Sequence, residues 1–182
     1  MRIAICGAGI AGPTLAYWLH KYGNDVLLVE EAPALRTGGY VIDFWGTGYD
    51  IAERMGILPE ITRLGYGLEE VRFVDSDGRK VAGFATYVIT GLTSGRFTSL
   101  RRSDLSASIF GALDPAIERI FGDSITKIED TDDSVQLDFR HGKAGQVDLI
   151  VGADGLHSRV RQLIFGPQTR FEVSLAYHVA AF

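Results

Sequence analysis

The stretch that most constrains this chain is CGAGIAG, residues 6–12, because of what stands on either side of it. Residues 2–6 (RIAIC) form a short, β-prone apolar run. Residues 10–22 (IAGPTLAYWLHKY) place Ile10, Leu15, Ala16 and Leu19 on one helical face. Pro13 falls in the first turn of that helix, where its missing N–H costs little. Gly23 and Asn24 end the helix, and residues 25–29 (DVLLV) read as a second buried strand with Glu30 at its carboxyl end. Strand, glycine loop, helix and strand within about 30 residues is a βαβ unit, the setting in which a GxGxxG spacing carries weight.

Each glycine has its own task there. Gly7 permits a tight turn out of the strand, Gly9 lets backbone approach a pyrophosphate, and Gly12 lets the helix lie close on the sheet. Amides near Ile10 and Ala11 then face an anion from the helix N-terminus. Glu30, 18 residues after Gly12, is placed to accept hydrogen bonds from a ribose diol. Its charge repels a 2′-phosphate, so the expected ligand is an ADP moiety without that phosphate. The loop alone does not separate NAD from FAD, since both use it. A glycine turn without a ligand would require strand, loop, helix and acid to agree by coincidence.

A length of 182 residues fits one domain, or one domain and part of another, and 46% apolar residues are enough for a real core. A net charge of -5 argues against a general nucleic-acid binder, because phosphate backbones select basic surfaces. Cys6 is the single cysteine, so no internal disulfide can form, and a reducing compartment is expected. The first apolar run is too short for a signal peptide and no run has the length of a membrane span, so a cytoplasmic protein is expected.

After Glu30 the α/β alternation breaks. Residues 36–45 (RTGGYVIDFW) are glycine-rich and then extended, and residues 48–56 and 59–64 read as helices. Residues 69–89 alternate around Asp75-Ser76-Asp77-Gly78 and read as an antiparallel hairpin, an insertion with its own sheet. Residues 103–113 read as a helix with Ser103 as N-cap, followed by strands near 124–129, 134–140 and 146–151. The last leads into Gly152-Ala153-Asp154-Gly155 and a helix capped by His157 or Ser158. His20, His141, His157 and His178 show neither triad nor metal spacing, and Cys6 reads as packing.

Three motifs in order, GAGIAGPTLA (7–16) with Glu30, RRSDL (101–105) and GADGLHSRVR (152–161), resemble the class A flavoprotein monooxygenases. That family has the para-hydroxybenzoate hydroxylase fold and includes tetracycline-inactivating enzymes and polyketide hydroxylases. The resemblance implies a Rossmann-like α/β FAD-binding domain over residues 1–170, a hairpin insertion over about 68–100, and the first strand of a β-sheet substrate domain over 171–182. It implies FAD as cofactor and NADPH or NADH as transient reductant. Gly7, Gly9, Ile10, Ala11 and Gly12 would form the pyrophosphate loop, and Glu30 would hold the adenosine ribose. Arg102, three residues before Leu105, would reach the FAD phosphates or ribityl chain, where a guanidinium offsets the diphosphate charge. Asp154 matches an Asp-Gly motif implicated in binding both cofactors, and Arg36 is a further phosphate contact. Asp43 would line the flavin pocket, and the aromatic residues Tyr40, Phe44, Trp45, Phe84, Tyr87 and Phe97 would line a substrate cavity, with core roles as the alternative.

The implied reaction is hydroxylation of a small aromatic or polyketide-like substrate by O₂, with no obligatory side-chain nucleophile and hence no catalytic residue named. The family's downstream Gly-Asp fingerprint is missing; Gly122-Asp123 is the only such pair and lies in the wrong part of the chain. Residues 171–182 (FEVSLAYHVAAF) alternate like a strand with no continuation. The expectation is therefore the N-terminal part of a longer enzyme, truncated or one half of a split protein, inactive alone and completed by a C-terminal half or a homo-oligomer partner. The competing readings are an FAD-dependent reductase or dehydrogenase, and a flavin-binding fragment without catalysis.

Overall fold

Arg2–Cys6 (β1) and Asp25–Glu30 (β2) pair in parallel, Ile3 opposite Val26 and Ile5 opposite Leu28, with the helix Ala11–Lys21 (α1) as their crossover. The computed structural model describes residues 1–176. Beyond β2 the order is β3 (Val41–Trp45), α2 (Thr47–Met55), α3 (Leu58–Leu64), β4 (Glu70–Val74), β5 (Lys80–Ala85), α4 (Tyr87–Leu92), β6 (Phe97–Arg101) and α5 (Arg102–Gly111). There follow β7 (Glu118–Phe121), β8 (Ile125–Asp130), β9 (Val135–Phe139), β10 (Gly145–Val147), β11 (Leu149–Gly152) and α6 (Arg159–Phe165). Two compact units result: Met1–Thr37 with the described residues from Ile109 onward, and Gly38–Ser108.

The first unit is built on a four-stranded parallel sheet in the order β11-β1-β2-β7. Successive side chains of a strand point to opposite faces, so an apolar run without alternation signals a sheet covered on both sides. Ile3, Ile5, Val26 and Leu28 pack with Ala8, Ala16, Leu113 and Ile117 on the face of α1. Ala4, Cys6, Leu27 and Val29 pack on the other face with Ile125, Leu137, Val147 and Val160, which come from the antiparallel sheet β10-β9-β8 and from α6. Ile5 and Leu28 are among the largest fully buried side chains, and truncating either to Ala would cost about 2–5 kcal/mol.

The expected strand over 146–151 is two strands. β10 pairs antiparallel with β9, whereas β11 pairs parallel with β1. Asp148 makes the switch between sheets: its Oδ2 accepts from the Arg2 amide at 2.7 Å and its own amide donates to the Arg2 carbonyl at 2.8 Å. Two strands have no counterpart in the sequence expectation, β6 and β7. In β7 the charged pair Glu118-Arg119 hides the strand signal. Glu118 meets the Arg2 guanidinium at 2.9 Å, and Arg119 donates to the Leu113 and Asp114 carbonyls, so both charges are held while the strand pairs with β2.

In the second unit β3 and β6 form an antiparallel pair, with Asp43 opposite Ser99 and Trp45 opposite Phe97. The hairpin β4–β5 forms where alternation placed it, and the Asp75 carboxylate accepts from the Asp77 and Arg79 amides to close the turn at Gly78. The chain leaves β5 earlier than expected, because Tyr87–Leu92 is helical. Ser103 is not an N-cap: the helix α5 already includes Arg102, and Ser103 lies inside its first turn. Ser158, named with His157 for the last helix, does cap α6, its Oγ accepting from the Arg161 amide at 3.0 Å. Residues 177–182 of the expected terminal strand lie outside the described residues.

Candidate functional site

The glycine loop is closed from above by the end of β11. Gly7 has φ +105°, and a Cβ there would stand 2.5 Å from the Ala153 carbonyl oxygen and 2.8 Å from the Asp154 Cα. Gly7 is thus required twice, for its left-handed backbone and for clearance beneath Ala153-Asp154. The Gly7 amide donates to the Val29 carbonyl at 2.7 Å and the Ala153 amide to the Cys6 carbonyl at 2.8 Å, which fixes the loop to both neighbouring strands. A Cβ on Gly12 would lie 1.9 Å from the Gly7 carbonyl oxygen, so helix start and turn are in backbone contact. Gly9 lies at the bend before α1.

First-turn amides of a helix have no intrahelical acceptor. In α1 these positions are Ala11, Gly12 and Pro13, and Pro13 has no N–H; the Thr14 amide donates to the Ile10 carbonyl at 3.2 Å. No side chain caps this end and no acidic residue stands in its first turn, so the positive end of the helix dipole has no anion from the first turn. A glycine cradle without Cβ atoms, opening on an uncapped helix N-terminus, fits a pyrophosphate.

Glu30 holds this loop. Its Oε2 accepts from the Ala8 amide at 2.7 Å and its Oε1 from the Ala32 amide at 2.9 Å. Sequence spacing pointed to a ribose and missed this tether, for which no motif signal exists. Each carboxylate oxygen retains a lone pair, so the tether leaves room for a ribose diol.

Asp154 lies beside the same loop and caps α6. Its Oδ1 accepts from Ser158 Oγ at 2.5 Å, and its Oδ2 accepts from the Arg159 and Val160 amides at 2.6 and 3.1 Å. Burial, and secondarily the Asp154 charge, push the Cys6 thiol up to about 12, so Cys6 is a protonated packing residue. The structure thus brings together Gly7, Gly9, Ile10, Ala11, Gly12, Glu30 and Asp154 within the first unit. Arg36 is exposed near the end of that unit's first segment. Arg102 belongs to the second unit, where its amide donates to the Tyr40 carbonyl at 3.1 Å.

One carboxylate that no motif announced is Asp123. It is 5% exposed, and its two oxygens accept from the amides of Ser124, Arg140, His141 and Gly142 at 2.7–3.1 Å. Burial alone would raise its carboxyl; the four backbone donors outweigh that and hold it below the ordinary value. Among the described residues no group of three or more His, Cys, Asp or Glu is placed to hold a metal ion, and no helix is long and apolar enough to cross a membrane. Of the aromatic wall residues, Phe97 lines a cavity of about 240 Å³ in the second unit, while Trp45 and Tyr87 are exposed.

Comparison with known proteins agrees with this geometry. The profile of a family described as "FAD binding domain" matches residues 1–176. A Mycobacterium tuberculosis protein named only as uncharacterized is 39% identical over 181 residues, which is 99% of this chain and 49% of that protein. A flavin-dependent monooxygenase of Legionella longbeachae is 32% identical over 182 residues, covering 100% of this chain and 46% of its own. Among solved structures, tetracycline destructase Tet(55) superposes with a TM-score of 0.76 at 34% identity, over 90% of this chain and 40% of that one. HpxO of Klebsiella pneumoniae, solved with FAD and uric acid, gives a TM-score of 0.73 at 25% identity, over 91% of this chain and 42% of its own. The chain spans about half the length of the curated relatives it matches. With the family profile covering all but its last residues, and the glycine cradle intact beneath it, the chain belongs to the family described as FAD binding domain.

Proposed function

We propose that this chain is the N-terminal, FAD-holding part of a monooxygenase that uses NADPH or NADH and O₂ to hydroxylate a small aromatic or polyketide-like molecule. The observation that carries the proposal is the cradle in which Gly12 meets the Gly7 carbonyl and Gly7 passes beneath Ala153. The amides of Ile10, Ala11 and Gly12 receive the pyrophosphate, and Gly7 and Gly9 let it approach. Glu30 receives the adenosine ribose while keeping the loop in place. Arg36 offsets phosphate charge, and Asp154 serves at the cofactor through the turn it stiffens. Bound FAD supplies the electron-transfer and oxygen-activating chemistry. In the overall balance one oxygen atom of O₂ replaces a ring hydrogen as hydroxyl. The other leaves as water with the two electrons of the nicotinamide.

Flavin-fluorescence titration of the purified chain tests the cofactor reading: saturable binding of FAD, lost in Gly12→Ala, is expected. An absence of saturable binding would overturn the sufficiency of this half. Substrate-dependent oxidation of NADPH or NADH by the full-length enzyme, with one labelled atom from O₂ in the product, tests the reaction.

A further inference from the structure

Gly122-Asp123 belongs to none of the three motifs, yet it stands where the site of the first unit is held together. β7 ends there beside β2, with Phe121 opposite Glu30. We propose that Asp123 is a positioning residue of the cofactor site: anchored by its carboxylate, it fixes the backbone of residues 30–32 and so sets where Glu30 presents its own carboxylate to the glycine loop and to the adenosine ribose. The ribose half of this statement rests on the function proposed above; the link from Asp123 through Glu30 to Ala8 does not.

These residues form one continuous chain of hydrogen bonds. The Asp123 amide donates to the Glu30 carbonyl at 3.3 Å, and the Gly122 amide donates to the Ala32 carbonyl at 3.0 Å. Glu30 Oε1 accepts from the Ala32 amide at 2.9 Å, and its Oε2 accepts from the Ala8 amide at 2.7 Å. Residues 30–32 are thus gripped through their backbone by Gly122 and Asp123, and they hold the glycine loop through a side chain. Gly122 makes the approach at φ +71°, a left-handed backbone that suits glycine.

Such a grip positions Glu30 only if residues 122 and 123 are themselves fixed, and the buried Asp123 carboxylate fixes them. Its Oδ1 accepts from the amides of Ser124, Arg140 and His141 at 2.7, 3.0 and 3.1 Å, and its Oδ2 from the Gly142 amide at 2.8 Å. Three donors on one oxygen and a fourth on the other call for the charge and the lone pairs of an ionised carboxylate. A second tie from the same turn, Arg140 Nη2 to Glu31 Oε1 at 2.9 Å, is exposed on both sides and contributes little. Control over residues 30–32 therefore passes through Asp123. The anchor is tight: a Cβ on Gly142 would lie 3.1 Å from Asp123 Oδ2.

The test uses the flavin-free chain and two probes, ADP and 2′,3′-dideoxy-ADP, which share a diphosphate and differ in the ribose diol. Calorimetry of the wild type is expected to show a preference for ADP of about tenfold or more, from hydrogen bonds to a charged acceptor. In folded Asp123→Asn the preference should fall to about threefold or less, through weaker ADP binding with dideoxy-ADP unchanged. A merely structural role would weaken both probes alike. The Ala8 amide proton resonance, held downfield by its bond to Glu30, should move upfield in the same variant. Gly142→Ala disturbs the anchor more mildly and should show both effects in smaller measure, so a failure of Asp123→Asn to fold does not remove the test. An unchanged preference, or equal weakening of both probes, in a folded variant would overturn the positioning role. A wild type with no diol preference would instead refute the ribose reading of Glu30. The Ala8 resonance then decides the link alone: if it stays in place in a folded variant, the proposal fails.

Discussion

Gly12 and Gly7 are in backbone contact across the cofactor loop: a single methyl on Gly12 would lie 1.9 Å from the Gly7 carbonyl oxygen. That oxygen is backbone and cannot swing aside as a side chain would. Gly12→Ala must therefore open the loop or push α1 off the sheet, at a cost of about 1–3 kcal/mol or more. A lowered melting temperature and FAD affinity reduced by more than tenfold are expected. Wild-type FAD affinity in a folded Gly12→Ala variant would show that the loop is not the pyrophosphate site.

Glu30→Ala leaves the Ala8 and Ala32 amides without their acceptor, so stability and cofactor binding should fall together. The expected loss of stability without flavin is about 1–3 kcal/mol, the range for a hydrogen-bonded charged group. Glu30→Gln keeps one acceptor oxygen and should recover part of it. A denaturant melt of the flavin-free variants reads the tether alone; a melt unchanged in Glu30→Ala would refute it.

Asp123 predicts an acid-labile element. Its folded-state carboxyl titrates below the ordinary 3.8, so on acidification the unfolded chain takes up the proton first. The stabilisation is complete above pH 3.8 and is lost as pH falls through the lower folded value. Asp123→Asn, which turns an amide group toward backbone donors, should cost about 1–3 kcal/mol at neutral pH and flatten the acid limb of the stability curve. Urea melts across the acid range measure both effects; an acid limb identical in the two proteins would count against the assignment.

Cys6 works in the opposite direction. The unfolded thiol ionises near 9.0 while the folded one holds its proton to about 12, so stability should fall as pH rises between those values. At near-neutral pH a disulfide reagent should leave the native thiol untouched and react at once in denaturant. Rapid modification of the native protein would contradict the packing role.

The parts of this fold that were legible were those whose signal is local. The β1–α1–β2 unit announces itself because both sheet faces are covered and each residue of DVLLV is apolar or at an end. The hairpin turn at Asp75–Gly78 is legible for the same reason: its chemistry lies within five residues. What was not legible depends on distant partners. β6 is a strand because β3 pairs with it, and its FTSLR has no strong alternation. The division of 146–151 depends on Arg2, and the loop tether of Glu30 depends on where Ala8 comes to rest. Of the site residues, spacing indicated the glycines and Glu30 but not how Ala153 closes over them.

The parallel pairing of Ile3 with Leu149 also has a consequence for synthesis. Among the described residues β1 is the earliest strand of its sheet, and β11, which fills its outer edge, is the latest. At roughly 5–20 residues per second the edge of β1 stays bare for on the order of ten seconds. Until Leu149–Gly152 emerges, the nascent chain carries an open apolar strand and a glycine loop with nothing above it. A chain interrupted between β10 and β11 would therefore present β1 as an open sheet edge prone to pair with other chains.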